Sequence, residues 1–184
     1  GEKELKGKGI SYCATCDAKY FNDKDVVVVG GGNSAVEEAD FITKFAKSVT
    51  MIHQFAEFTA NKQSTGKILN NPKVKVLFES EPRAFEKTGD QLKITYEDLK
   101  TKQNKEIITD GAFIFVGMSP NTGLIEGALE KDPWGYIKTN EDMMTNMDGV
   151  YAIGDVRSKK YRQITTAVAD GTIAAIASTK SLDT

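Results

Sequence analysis

The chain has 184 residues, enough for one good core or for one compact domain and part of a second. Its 24 Lys and Arg against 26 Asp and Glu give a formal net charge of −2, which excludes a general attraction to nucleic acid or to an acidic membrane surface. No apolar run approaches the roughly 18 residues that span a bilayer, the start (GEKELKGKGI) has no apolar signal core, and two cysteines do not make a stapled secreted scaffold. A cytoplasmic, membrane-free protein is expected. The first residue is Gly rather than Met, as in a processed chain or a fragment.

Residues 1–11 are polar and glycine-containing and read as an entry loop. Tyr12 to Phe21 starts a short helix at the cysteines. Asp25–Val29 is a continuous β-branched run, the pattern of a strand buried on both faces. Gly30–Asn33 is a tight turn, and Ser34–Phe45 has apolar residues at helical spacing. Ser48–His53 is a second strand, completing a right-handed βαβ unit. A polar helix is expected over Thr59–Asn71, stopped before Pro72. Strand character follows at Val74–Phe78, Arg83–Lys87, Gln91–Asp98 and Glu106–Thr109, with a hairpin turn at Thr88-Gly89-Asp90. Ala112–Val116 returns as a buried strand. After Pro120 the character changes: Gly123–Gly149 is mostly loop, with a short strand candidate at Tyr136–Thr139. Val150–Ile153 reads as a buried strand, and Ile164–Leu182 as a closing helix. These elements predict an α/β fold: a Rossmann-like domain with a parallel sheet, helices on its faces and a β-meander over residues 1–119, and a second segment over 120–184.

Two motifs carry chemistry. GGGNSA follows a strand and opens a helix. In this GxGxxA pattern Gly30 permits the turn, Gly32 lets the backbone approach a pyrophosphate, and Ala35 lets helix and strand pack closely. The helix start, with Asn33 and Ser34, offers N–H groups and a positive dipole end to phosphates; the alternative is a glycine turn with no ligand. Cys13-Ala14-Thr15-Cys16-Asp17 brings two sulfurs into disulfide range, and Asp17 can deliver or accept the proton of thiol–disulfide exchange. The alternative is a pair of structural thiols. Cys13, Cys16 and the single histidine, His53, are too few for a structural zinc site, so no metal is expected.

After the second strand, His53-Gln54-Phe55-Ala56-Glu57-Phe58 holds neither a strand-terminal acid nor an Arg. Glu57 is close enough to reach a ribose, or is a solvated helix residue. His53 stacks on adenine or meets a phosphate, or is a surface histidine at a strand end. Gly154-Asp155 after a strand suits the hydroxyls of a second cofactor's sugar-like chain, or is an ordinary turn.

The pieces GKGISYCATCD, VVVVGGGNSAVEEA, FIFVGMSPNT, GVYAIGDV and YRQITTAVADG, in this order, resemble the low-molecular-weight thioredoxin reductases. The resemblance covers nearly the whole chain. It implies two doubly wound domains, one binding FAD and one binding NADPH and carrying the redox disulfide, in a homodimer that passes electrons from the nicotinamide through FAD and the Cys13–Cys16 disulfide to thioredoxin. It makes Cys16 the flavin-facing sulfur, Cys13 the sulfur that attacks thioredoxin, and Asp17 the acid–base partner. Gly117, Gly154, Asp155, Arg162, Gln163 and Ile164 fall at cofactor positions. Two features depart from the pattern. The family's NADPH signature, His-Arg-Arg and a further Arg, falls on His53, Gln54, Phe55 and Thr59, so the cations for a 2′-phosphate are missing and NADH use or dual use is expected. The family's first FAD segment, with its own glycine fingerprint, has no counterpart in these residues, which reads as a fragment of a longer enzyme. The rivals are an NADH-dependent alkyl hydroperoxide reductase flavoprotein, and an inactive dinucleotide-binding fragment.

Overall fold

The computed structural model describes residues 1–125 and 127–182, and its contacts divide the chain into two compact units, Gly1–Val116 and Gly117–Thr184. The first unit is built on β2 (Asp25–Val29). Four consecutive valines leave it no polar face, and its residues alternate between two cores. Val26 and Val28 pack with Ala35, Val36, Ala39 and Ile42 of helix α3 (Asn33–Ile42), whereas Val27 and Val29 pack with Phe85, Leu92 and Ile94 on the other face. Each fully buried side chain of this size contributes about 1.5–3 kcal/mol.

In chain order the unit comprises α1 (Glu2–Leu5), β1 (Ile10–Ser11), α2 (Ala14–Asp17), a 3₁₀ turn at Ala18–Phe21, β2, α3, β3 (Ser48–Ile52), α4 (Lys62–Leu69) and β4 (Val74–Leu77). The meander β5 (Ser80–Thr88), β6 (Gln91–Asp98) and β7 (Gln103–Thr109) follows, and then β8 (Gly111–Ile114). The main sheet has the order β1-β8-β2-β3-β4, and every pair in it is parallel. The antiparallel meander serves as the crossover from β4 to β8 and lays Phe85, Leu92 and Ile94 on the sheet. Ion pairs such as Arg83–Glu97 (2.6 Å) and Lys105–Asp98 (2.7 Å) lie among its more exposed side chains.

Several expectations are corrected. Residues 1–11 are not all loop. Ile10 is 1% exposed and pairs with Ala112, so a two-residue strand closes the sheet edge. Helix α3 stops at Ile42, because the chain turns through Thr43–Phe45. Helix α4 starts at Lys62, because the Asn61 side chain caps it by accepting from the Ser64 N–H (2.9 Å). β5 runs through Pro82, which is tolerated on an edge strand with a register shift between Pro82 and Ala84.

The second unit holds helix α5 (Ile164–Leu182) and an irregular chain joined by bridges at Lys131–Ile137, Ile137–Arg157 and Met144–Tyr151. Neither Tyr136–Thr139 nor Val150–Ile153 is a strand; Ile137 makes two isolated bridges and Tyr151 one. A strand buried on both faces needs a hydrogen-bonded neighbour on each side. Among the described residues, no ladder forms along Val150–Ile153, the next N–H, that of Gly154, is taken by the Asp170 carboxylate, and Ile153 is left 46% exposed. No described helix is long and apolar enough to cross a membrane.

Candidate redox-disulfide and nucleotide sites

The parallel sheet sets the geometry of the first unit. Since β1, β2, β3 and β8 run the same way, the residues that follow them emerge at one edge: Cys13 after β1, Gly30 after β2, His53 after β3 and Phe115 after β8. β1 and β2 are separated by β8 alone, so their ends lie on the order of 10 Å apart. Ligands of open parallel sheets bind at this carboxyl edge.

At the first of these positions Cys13 and Cys16 are disulfide-bonded, with Cα atoms 5.3 Å apart. Cys13 caps α2, and its sulfur accepts from the Cys16 N–H (3.3 Å). Thr15 Oγ1 lies 3.3 Å from the same sulfur. Cys16 is exposed, and Cys13 and Asp17 are half-buried. Ala14 and Ala18 on the opposite side pack into the core with Ala35 and Val36, which seats α2 on α3. Asp17 accepts a 2.6 Å hydrogen bond from Ser11. Beside the turn, Tyr12 donates to Glu2 (2.6 Å); burial and that contact push its phenol up to about 12.

The glycine turn has a separate steric reason at each position. Gly30 has φ +129°, and a Cβ there would collide with the Phe115 carbonyl oxygen. A Cβ on Gly31 would stand 2.5 Å from the His53 ring. Around Gly32 there is open space, with only Thr59 Oγ1 at 3.8 Å. Gly32 caps α3 without a side-chain hydrogen bond, and no acid lies in the first turn. The N–H groups of that turn are therefore offered to an anion that can approach over Gly32, the donor set a pyrophosphate requires. Ser34 is exposed there and Ala35 is fully buried.

The segment after β3 is tied to this turn. Thr59 N–H donates to the Gly31 carbonyl (3.0 Å), and Thr59 Oγ1 makes a longer bond to it (3.3 Å). Asn33 Oδ1 accepts from Asn61 N (2.8 Å) and Nδ2 (3.2 Å), so this side chain fixes the entry to α4. His53 is not a surface residue: it is 6% exposed, under Gly31 and among Phe55, Phe58 and Phe78. Its Nε2 has no hydrogen-bond partner among the described residues. Burial pulls the imidazole below its ordinary value, with the Glu57 main chain partly offsetting this, so the ring is neutral at pH 7. Glu57 is exposed in a bend, not a helix.

In the second unit the structure brings Gly154, Asp155, Arg162, Gln163 and Ile164 together at the start of α5. Gly154 has φ +73°, and its N–H donates to Asp170 Oδ2 (3.0 Å). Asp170 also binds Lys159 (2.8 Å) and Arg157 (3.0 Å). Burial pushes its carboxyl up, but these partners outweigh burial and hold it below the usual carboxylate range. Arg162 stacks over Tyr136 at 3.8 Å and donates to the Asp155 carbonyl (3.3 Å), which fixes the guanidinium beside an exposed Asp155. Gln163 precedes α5, with its N–H 3.1 Å from Thr166 Oγ1, and Ile164 is exposed. Gly117 opens this unit at φ +103°, with free space where a Cβ would stand. Tethered turns and an ion cluster beside exposed polar groups suit a bound sugar-phosphate cofactor. Ser11, Asn61, Tyr136 and Asp170 escape sequence reasoning; each acts through a partner that no local pattern announces.

The family model for pyridine nucleotide-disulphide oxidoreductases matches residues 1–171. The chain is 47% identical over 179 residues to a 34.2 kDa protein in the rubredoxin operon of Clostridium pasteurianum, covering 97% of this chain and 58% of that relative. It is 44% identical to a thioredoxin reductase of Peptoclostridium litorale, covering 100% of this chain and 60% of the relative. The crystal structure of thioredoxin reductase from Streptococcus pyogenes MGAS5005 superposes with a TM-score of 0.92 at 41% identity, covering 100% of this chain and 60% of that one. The chain thus spans about 60% of the length of such relatives.

Proposed function

Because the chain belongs to the pyridine nucleotide-disulphide oxidoreductase family, we propose that its first unit is the nicotinamide-nucleotide and redox-disulfide domain of a thioredoxin-disulfide reductase, and its second the C-terminal segment of the FAD-binding domain. The observation that carries this reading is the emergence of the Cys13–Cys16 disulfide and the Gly30–Gly32 turn at one edge of a single parallel sheet. A disulfide alone suggests a thiol enzyme and a glycine turn alone a binding module; together they put an electron acceptor and the clamp for an electron donor on one domain.

When bound, FAD supplies the relay from nicotinamide hydride to the disulfide. The chain's own groups do the rest. The N–H groups at the start of α3 would hold the pyrophosphate of the nicotinamide nucleotide, and Gly154, Asp155, Arg162, Gln163 and Ile164, with Gly117 at the start of that segment, would hold the flavin cofactor. In the reduced state the Cys13 thiolate attacks the disulfide of thioredoxin or a thioredoxin-like protein, Asp17 protonates the leaving sulfur, and Cys16 resolves the mixed disulfide. The intact enzyme is read as a cytoplasmic homodimer.

Gln54, Phe55 and Thr59 carry no charge where a 2′-phosphate would need a cation, so NADH serves at least as well as NADPH. A preference for NADPH of about a hundredfold or more in kcat/KM would refute this point, since it requires the charge-assisted contacts that are missing. The experiment for the whole reading uses the full-length protein. Its visible spectrum is expected to show bound flavin, bleached by NADH. Cys13→Ser should keep that bleaching and lose thioredoxin reduction; if thioredoxin turnover survives, the role of Cys13 is wrong.

A further inference from the structure

Ser11 is the last residue of β1, level with Phe113 in the parallel ladder, and only 6% exposed. A buried hydroxyl is unfavourable unless it is paired, and this one is paired entirely with the redox turn. The Cys13 N–H donates to Ser11 Oγ (3.1 Å), and Ser11 Oγ donates to Asp17 Oδ2 (2.6 Å). The Cys13 carbonyl, at 3.3 Å, is the weaker acceptor for the same proton. The sheet edge is thus linked through one hydroxyl to both the main chain of the first cysteine and the carboxyl four residues further on.

We propose that Ser11 is the positioning residue for the proton donor of the disulfide: it holds the Asp17 carboxyl beside the Cys13 end of the turn and stabilises the charge left there when the proton departs. This rests on the reading of Asp17 given under the proposed function. The step balances as follows. The Cys13 thiolate forms a bond to one sulfur of the partner's disulfide, that S–S bond breaks, and its electron pair leaves with the other sulfur. That sulfur takes the proton of the Asp17 carboxylic acid. The Cys16 thiolate then bonds to Cys13 Sγ and expels the partner's first sulfur as a thiolate, which solvent protonates. The dithiol of this chain is oxidised to the Cys13–Cys16 disulfide, and the partner's disulfide is reduced. Hydrogen bonds to an ionised carboxylate are stronger than those to a neutral one, so the Ser11 contact strengthens as the proton leaves, which is the condition for accelerating the step. β1 is short, but its register is fixed by β8, so the donor is held by the sheet and not by a loop.

The test needs no flavin. The chain is reduced with dithiothreitol, freed of it, and mixed with oxidised thioredoxin; acid quenching and mass analysis give the single-turnover rate. At pH 7 we expect Ser11→Ala to slow exchange about tenfold and Ser11→Thr, which keeps the hydroxyl, to stay within about threefold of the parent. Asp17→Asn should be slowed by about tenfold or more, and the double variant should be no slower than Asp17→Asn alone. Ser11→Ala at the parent rate, equal losses in Ser11→Ala and Ser11→Thr, or additive effects would each overturn the proposal while leaving Asp17 in place. Asp17→Asn at the parent rate would overturn the reading beneath it as well. Should Ser11→Ala fail to fold by circular dichroism, the near-isosteric pair Ser11→Thr and Ser11→Val makes the same comparison: equal rates refute, and a slow Val variant supports.

Discussion

The glycine turn offers a clean separation of folding from binding. Gly32→Ala adds a methyl group where the structure has open space and where φ is −80°, a value any residue adopts. At a helix cap, Ala is worse than Gly by about 0.5–1 kcal/mol, and the stiffer unfolded chain returns part of that. The melting temperature should therefore fall by only about 2–4 °C. The methyl group does occupy the approach of an anion to the α3 N–H groups. Losing one charge-assisted hydrogen bond costs about 1.5–3 kcal/mol, so NADH affinity should drop at least about tenfold. Gly30→Ala is the contrasting case. Its φ of +129° and the Phe115 carbonyl in its path combine backbone strain and overpacking, each about 1–3 kcal/mol, for a total of about 2–6 kcal/mol. Isothermal titration with NADH alongside thermal denaturation of both variants decides the matter. If Gly32→Ala binds NADH within twofold of the parent, the anion does not sit over Gly32; if it melts as badly as Gly30→Ala, the open space is not there.

Two further perturbations test the buried titratable groups. His53 is the single histidine, so one imidazole resonance reports it in a proton NMR titration. Its folded value lies below the ordinary 6.5, so the unfolded chain binds the proton first: stability is full above 6.5, declines as pH falls below it, and levels off only beneath the folded value. His53→Phe should flatten that decline between about pH 7 and 5, where each unit of depression is worth about 1.4 kcal/mol; an unchanged pH profile would refute the burial argument. Asp170→Asn keeps an acceptor for the Gly154 N–H but removes the charge facing Arg157 and Lys159, whose side chains are 15% and 10% exposed. Breaking a buried pair in this way costs about 3–5 kcal/mol. Hydrogen exchange at Gly154 and Arg157 should accelerate accordingly, while β2 amides stay protected; unchanged protection would show that the cluster holds nothing in place.

The contrast between β2 and β1 shows what a sequence can reveal here. Asp25–Val29 is legible because four β-branched residues and a following glycine turn have one common explanation, a central parallel strand. Ile10–Ser11 has no period to read. It is a strand only because β8, a hundred residues later, offers a partner for Ile10 at Ala112. Val150–Ile153 fails in the opposite direction: its composition matches a buried strand, but composition supplies no neighbour, and among the described residues the chain makes one bridge there. The site divides along the same line. Cys13-x-x-Cys16 and Gly30-x-Gly32 are visible because their chemistry is set by spacing within a single turn. The burial of His53 is not, because the space for its ring is made by the missing Cβ of Gly31, twenty-two positions earlier.

Thr59 joins the two levels. By sequence it is the place of an absent arginine, a loss. By structure its main-chain N–H holds the carbonyl of Gly31 at 3.0 Å, and its hydroxyl adds only a longer bond of 3.3 Å. The tether that shapes the nucleotide turn is therefore carried by the backbone, which every residue but proline supplies. That leaves the side chain free to set the ligand's charge. A change of charge at this position therefore needs no change in the Gly30–Gly32 turn, so the glycine turn can be kept where the arginine signature of the resembling family is absent beside it.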